Sequence, residues 1–285
     1  MVLERIFPHE WLERKAEVAF FLGWGYSIVS IIMASFIFPA DPSLPAIAFT
    51  SLLVLPSLSR LFELKKEMLE EENVFSFRKL FLRNKEFVKV YLFLSLGIFL
   101  VYSTAAIILP AFQVNRLFET QLGIRGVHGR AINFSILIFW SIFTNNLLVL
   151  IVCFLMSLFT GDGGIFMITW NLSVWGTIFG VTARNAAAAS GYNPIILFII
   201  IMAVVLPHAT LELLSYILAS ISGGVISKGL KVEGFKSSKF KTLMYYNIAL
   251  LMIAINILIL GGLIETFVLG NIHIYREIIA LSYLV

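Results

Sequence analysis

Apolar residues run through this chain in long unbroken blocks, not in the stripes of amphipathic helices or the alternation of half-buried strands. Seven blocks approach the roughly 20 residues that an α-helix needs to cross hydrocarbon. They are Phe20–Phe38, Leu44–Ser59, Val90–Ala111, Ile132–Phe159, Ile165–Val181, Pro194–Ile226 and Leu243–Leu269. The second is short and carries Pro45 and Pro56; the sixth is long and interrupted by Pro207. The pattern predicts an all-α fold, a polytopic transmembrane helix bundle of about seven spans. The first block follows a mixed-charge segment (Glu10, Glu13, Arg14, Lys15, Glu17) and leads through Pro39-Ala40-Asp41-Pro42 into the second. It therefore reads as the first arm of a helical hairpin and not as a cleaved signal peptide.

Composition supports the same class. Of 285 residues, 59% are hydrophobic and 13% charged, and the mean hydropathy is +0.94. A soluble domain of this size needs more polar surface to cover its core. The net charge is +4, and the basic residues sit in short segments beside apolar blocks, which argues for lipid headgroups and against nucleic acid as the partner. With the N-terminus in the cytoplasm, 16 of the 21 Lys and Arg fall in inner segments and 5 in outer ones. That asymmetry predicts a multi-pass protein of the cell membrane with a cytoplasmic N-terminus and an external C-terminus. Residues 1–89 form a transmembrane hairpin with a charged cytoplasmic helix over Leu61–Lys89, residues 90–270 a five-span core, and residues 271–285 an apolar tail at the outer interface.

The standard catalytic and phosphate-binding fingerprints are absent, and the single cysteine, Cys153, has no partner for a disulfide. The chain reads as a non-enzymatic protein without cofactor or metal. Its informative residues are the polar ones inside apolar blocks, because each needs a partner or a wet cavity there. They are Asn145, Asn146, Asn171, His208, Glu212, Asn256 and Glu265. A rise of about 1.5 Å per residue puts Asn145, Asn146, Glu212 and Asn256 about 20 Å from the inner end of their spans. It puts His208 about 6 Å and Glu265 about 13 Å further out. His208 and Glu212 are i and i+4, on one helix face, and Pro207 frees a backbone carbonyl beside them. The expectation is that His208, Glu212, Asn145 and Asn146 converge at mid-membrane, with Glu265 and Asn256 bordering them. Gly176-x-x-x-Gly180 and Gly223-Gly224 predict close helix contacts, and Asp162, in the turn Gly161–Gly164, predicts a cap for the fifth span.

These elements resemble the stage II sporulation protein M family. The resemblance rests on Asn145-Asn146, Gly163-Gly164 and Asn171 with Gly176 and Gly180. It continues in Pro207-His208 through Glu212-Leu213, in Gly223-Gly224, and in Gly261-Gly262-Leu263-Ile264-Glu265. It covers about Leu92–Leu269 and departs from the family at Ala209, where relatives usually carry glycine. It implies a five-span membrane core to which the first hairpin is an extension. It is compatible with homo-oligomers and with envelope protein partners. Two functions follow as expectations: a channel or transporter for an ion or small solute through the polar cluster, or a scaffold that assembles partners for cell-envelope remodelling.

Overall fold

The computed structural model describes residues 16–64, 77–128 and 136–284. Among them are ten helices and no strand: α1 (Val18–Ile37), α2 (Ser43–Leu64), α3 (Phe77–Ile108), α4 (Ala111–Leu117), α5 (Glu119–His128), α6 (Ile136–Thr160), α7 (Gly164–Ser190), α8 (Pro194–Glu233), α9 (Ser238–Asn271) and α10 (His273–Leu281). Six of them, α1, α3, α6, α7, α8 and α9, are long and apolar enough to cross a membrane. The remaining predicted span, Leu44–Ser59, lies in α2, whose apolar stretch Ser43–Ser59 is shorter than the other six. Length and composition therefore give six crossing helices where the residue pattern predicts seven. Of the segment expected as a charged cytoplasmic helix, Leu61–Lys89, residues 65–76 lie outside the described residues; its first residues end α2 and Phe77–Lys89 begins α3.

The helices overrun their predicted bounds, because hydrophobicity marks only the part of a helix that meets lipid. α7 continues from Val181 to Ser190, and α8 continues from Ile226 to Glu233. Pro207 does not break α8, which runs through it as one helix of 40 residues.

The bundle presents its apolar side chains outward as well as inward. Phe36, Leu137, Leu148, Ile199 and Phe267 are among many large hydrophobics exposed on its flanks. Water would penalise that surface; hydrocarbon solvates it. Inside, hydroxyls on Ser27, Thr50, Ser51, Ser103 and Thr266 bond the carbonyl four residues back in their own helix, which keeps them satisfied without a tertiary partner.

With lipid as apolar as the core, helix association depends on close approach, and small residues provide it. The most enclosed long helix is α7, with 61% of its apolar window buried. A Cβ built on Gly176 would stand 2.9 Å from both Phe99 O and Tyr102 Cβ of α3, and one on Gly180 would stand 2.7 Å from Ala106 Cβ. Gly97 of α3 meets α1 in the same way, 2.7 Å from Trp24 N. Gly223 brings α8 onto α6, 2.9 Å from Leu158 N, and its neighbour Gly224 is also buried.

Both ends of the bundle are tied by side chains. At one end Arg184 of α7 donates to Ala106 O and Leu109 O, each at 3.2 Å, satisfying carbonyls at the end of α3. There too Arg116 donates to Pro39 O, and Thr120 N to Ser43 Oγ. At the other end Lys228 Nζ lies 3.3 Å from Asp162 and from Ser59 O, and Ser59 donates its hydroxyl to Asp162. The first residues of α2 thus belong to the Arg184 end, and Ser59, near its last turn, to the Asp162 end.

Asp162 does not cap α7. The free amides of that helix start are taken by Thr160 Oγ1, which accepts from Gly163 N at 2.8 Å, and by Ser157 Oγ, which accepts from Gly164 N at 3.0 Å. A lysine 66 positions further on takes the carboxylate instead, together with the Ser59 hydroxyl. Gly161, at φ 96°, makes the turn that allows both.

Gly180→Leu is expected to lower stability by roughly 1–3 kcal/mol, because the side chain would meet the backbone of α3 and not a movable tip. A thermal melt of the purified variant in detergent checks this; an unchanged midpoint would mean that α3 and α7 do not approach at this residue.

Candidate functional site

The candidate site lies where α6, α8 and α9 meet. α8 and α9 are antiparallel, with Ser222 Oγ donating to Asn247 O at 2.7 Å and Gly229 against Leu243. That register continues outward to Gly261, where a Cβ would lie 3.4 Å from Glu212 Cγ and from Leu211 Cβ. Glu212 therefore sits on a glycine of the neighbouring helix. One turn beyond, the Glu265 side chain leans back along α9, and the two carboxyl groups lie within hydrogen-bonding reach of each other. From α6, Asn146 reaches the same carboxyl group of Glu212. Glu212 is 5% exposed and His208 7%. Glu212 Oε1 and His208 Nδ1 are buried without a hydrogen-bond partner.

The depth arithmetic separates Glu212 from Glu265 by about 13 Å; the structure brings them together. Two physical reasons close the gap. The α8–α9 register places Leu243 opposite Gly229 and not Ile226, which shifts the inner reference by about 4.5 Å. The side chain of Glu265 then covers the remainder by pointing towards the N-terminus of its helix.

Other expected members stand apart. Asn145 is exposed on α6, 3.4 Å from Asn146 Oδ1. Asn256 is exposed on α9 and returns its amide to Met252 O at 2.8 Å. Asn171 does the same to Met167 O at 2.8 Å. For Asn171 and Asn256 the carbonyl four residues back satisfies the amide, so no tertiary partner is required. His208 shares the face of Glu212, but no hydrogen bond or ion pair joins the two. Among the described residues no group of three His, Cys, Asp or Glu is placed to hold a metal ion.

Two tyrosines that sequence reasoning missed border the carboxyl pair. Tyr216, fully buried, has Glu212, Cys153 and Glu265 as its electrostatic neighbours. Tyr275 of α10 is buried beside Glu265; burial first, and then that carboxyl group, hold its phenol above the ordinary value. α10 packs on α7 and α8, with Tyr275 and Ile278 among Ala183, Ala186, Leu197 and Ile201, so the tail closes the bundle beside the site. The signal for Tyr216 was present in the chain: it stands four residues after Glu212.

Lys228→Met is expected to destabilise the protein by on the order of 3 kcal/mol, because it strands the buried Asp162 carboxylate. Adding Asp162→Asn should restore most of the loss. Melting curves of the single and double variants measure this; equal losses in both would mean that the ion pair carries no coupling.

The family model described as stage II sporulation protein M matches residues 18–268. The matched region takes in the first hairpin together with the five-span stretch that carries Pro207-His208, Glu212 and the closing Ile264-Glu265. No curated protein matches the chain, and no solved structure does. On its helices this is a multi-pass integral membrane protein, and on the extent of that match it belongs to the stage II sporulation protein M family.

Proposed function

We propose that this chain is a non-enzymatic transporter or channel in which the Glu212–Glu265 pair binds and passes an ion. One observation carries the reading. Glu212 Oε1 and His208 Nδ1 are buried at the meeting of α6, α8 and α9 with no hydrogen-bond partner. Buried hydroxyls elsewhere, such as those of Ser95 and Thr177, also lack partners, but leaving a carboxyl oxygen without one is far costlier than leaving a hydroxyl. Buried groups with unused capacity, beside a second carboxyl group, fit a site that takes up and releases a charged species.

Seven crossings fit this arrangement better than six. The two ends of α2 are tied to opposite ends of the bundle, through Ser43 to α5 and through Ser59 to Asp162. α2 then runs the depth of the membrane although its apolar stretch is short. The charge asymmetry favours a cytoplasmic Asp162–Lys228 end. Five crossings separate Asp41 from Ser237, so the two lie on opposite sides; without α2 as a crossing they would lie on the same side. In a Cys153→Ser background, an impermeant thiol reagent added outside cells should label Asp41→Cys and spare Ser237→Cys. Labelling of both would remove α2 from the count.

The ion-binding reading predicts that Glu212→Gln folds with unchanged melting but loses flux. The variant keeps the shape and most of the hydrogen bonding while removing the titratable charge. Purified protein in proteoliposomes, under imposed gradients of K⁺, Na⁺ and H⁺ with dye readouts, tests it. Absence of any flux in the wild type would leave the scaffold role, in which the polar groups only join helices.

A further inference from the structure

We propose that the species handled by the carboxyl pair is the proton, and that it moves between Glu212–Glu265 and the Asp162–Lys228 pair along buried hydroxyls that α8, α6 and α3 bring together. The proposal rests on the reading of the pair as a translocation site and adds the identity of the ion and its path.

The α8 part is set by spacing. His208, Glu212, Tyr216, Ser220, Gly224 and Lys228 follow one another at steps of four, each stacked beside the last along an inclined ridge of α8. From Glu212 to Lys228 this ridge covers about 24 Å. Tyr216 is 0% exposed, and its hydroxyl has no hydrogen-bond partner although it faces two carboxyl groups. Ser220, one step further, shares a hydrogen bond of 2.8 Å with Ser157 of α6, and either hydroxyl can be the donor. The Tyr91 hydroxyl of α3 faces Ser220 without closing a bond of ordinary geometry, and its strongest charged neighbour is Asp162. Asp162, 3% exposed, is the acceptor for Ser59 and Lys228 at the end of the bundle. The thiol of Cys153 stands beside both tyrosines.

Two features select the proton over a metal cation. The first is room. A Cβ on Gly164 would stand 2.5 Å from Ser157 Oγ and 2.7 Å from Cys153 O, and Gly223 brings α6 and α8 together one turn away. Helices this close leave no space between their oxygens for a metal ion there. The second is chemistry. Hydroxyl groups both donate and accept, and an unpartnered hydroxyl can rotate from one neighbour to the next. Each transfer balances: the carboxylic O–H of the pair breaks as an O–H forms on Tyr216, whose own proton passes to the next hydroxyl. The last O–H forms on the Asp162 carboxylate. No electron moves and no co-reactant is needed.

The full chain in proteoliposomes loaded with a pH-sensitive dye, driven by a potassium diffusion potential, measures the movement. The wild type should acidify or alkalinise the lumen with the sign of the potential. Tyr216→Phe keeps the ring and removes only the hydroxyl, and should lower the proton flux at least tenfold. Tyr245→Phe, exposed on the flank of α9, should leave the flux unchanged. If Tyr216→Phe does not fold, Asp162→Asn serves in its place and should lower the flux several-fold. Proton flux undiminished in the folded variant overturns the path. K⁺ or Na⁺ flux without proton flux overturns the proton and leaves the translocation reading standing. No flux of any ion overturns both.

Discussion

A carboxyl group in hydrocarbon must meet its polar needs within the protein, and in this bundle two such groups meet them partly in each other. The contact of Glu212 with Glu265 lies beside Gly261, where a Cβ would already touch Glu212 Cγ and Leu211 Cβ at 3.4 Å, so a side chain longer than a methyl would push α9 away from α8. The register of α8 on α9 and the placement of α6 through Asn146 are thus one constraint seen from two sides.

The same economy governs the bundle away from the site. In its middle layers, glycines at 97, 176, 180 and 223 bring backbones together, and dispersion contacts accumulate where water offers no driving force. At its ends, long charged side chains take over. Arg184 satisfies the carbonyls left open at the end of α3, and Lys228 folds back onto Asp162. Separation of these roles lets the interior remain tight while the charges stay near the lipid–water boundaries.

The helices were legible in the chain because their signal is local: an apolar block long enough to cross is visible without any partner. The identity of the buried carboxyls was legible for the same reason. Which asparagine would join them was not. Asn146 and Asn256 stand in equally apolar surroundings, and only the rotation of α6 and α9 about their axes turns one inward and the other to the flank. The pairing of Glu265 with Glu212 depends on an interhelical register that no single helix encodes. Hydroxyls were overlooked because Ser and Tyr carry little penalty in a helix, yet Ser157, Ser220 and Tyr216 lie at its centre. Asp162 was misread by local logic, since its partner enters the chain 66 positions later.

The distant origin of the parts that meet at Asp162 bears on how the chain assembles. Ser59 and Asp162 are 103 positions apart, and Ser59 and Lys228 are 169 apart. During synthesis the first hairpin is complete long before either partner exists, and contacts of such separation form last. Until α8 is in place, the Ser59 end of α2 is held by its packing on α1 and α7 and by the bond to Asp162, without the lysine that completes the contact, and the short apolar stretch of that helix gives it little anchorage in lipid. Completion of α8 therefore adds the last tie on the hairpin, and a chain truncated before Lys228 holds its first two helices through their packing on α3 and α7 and through Ser59 on Asp162.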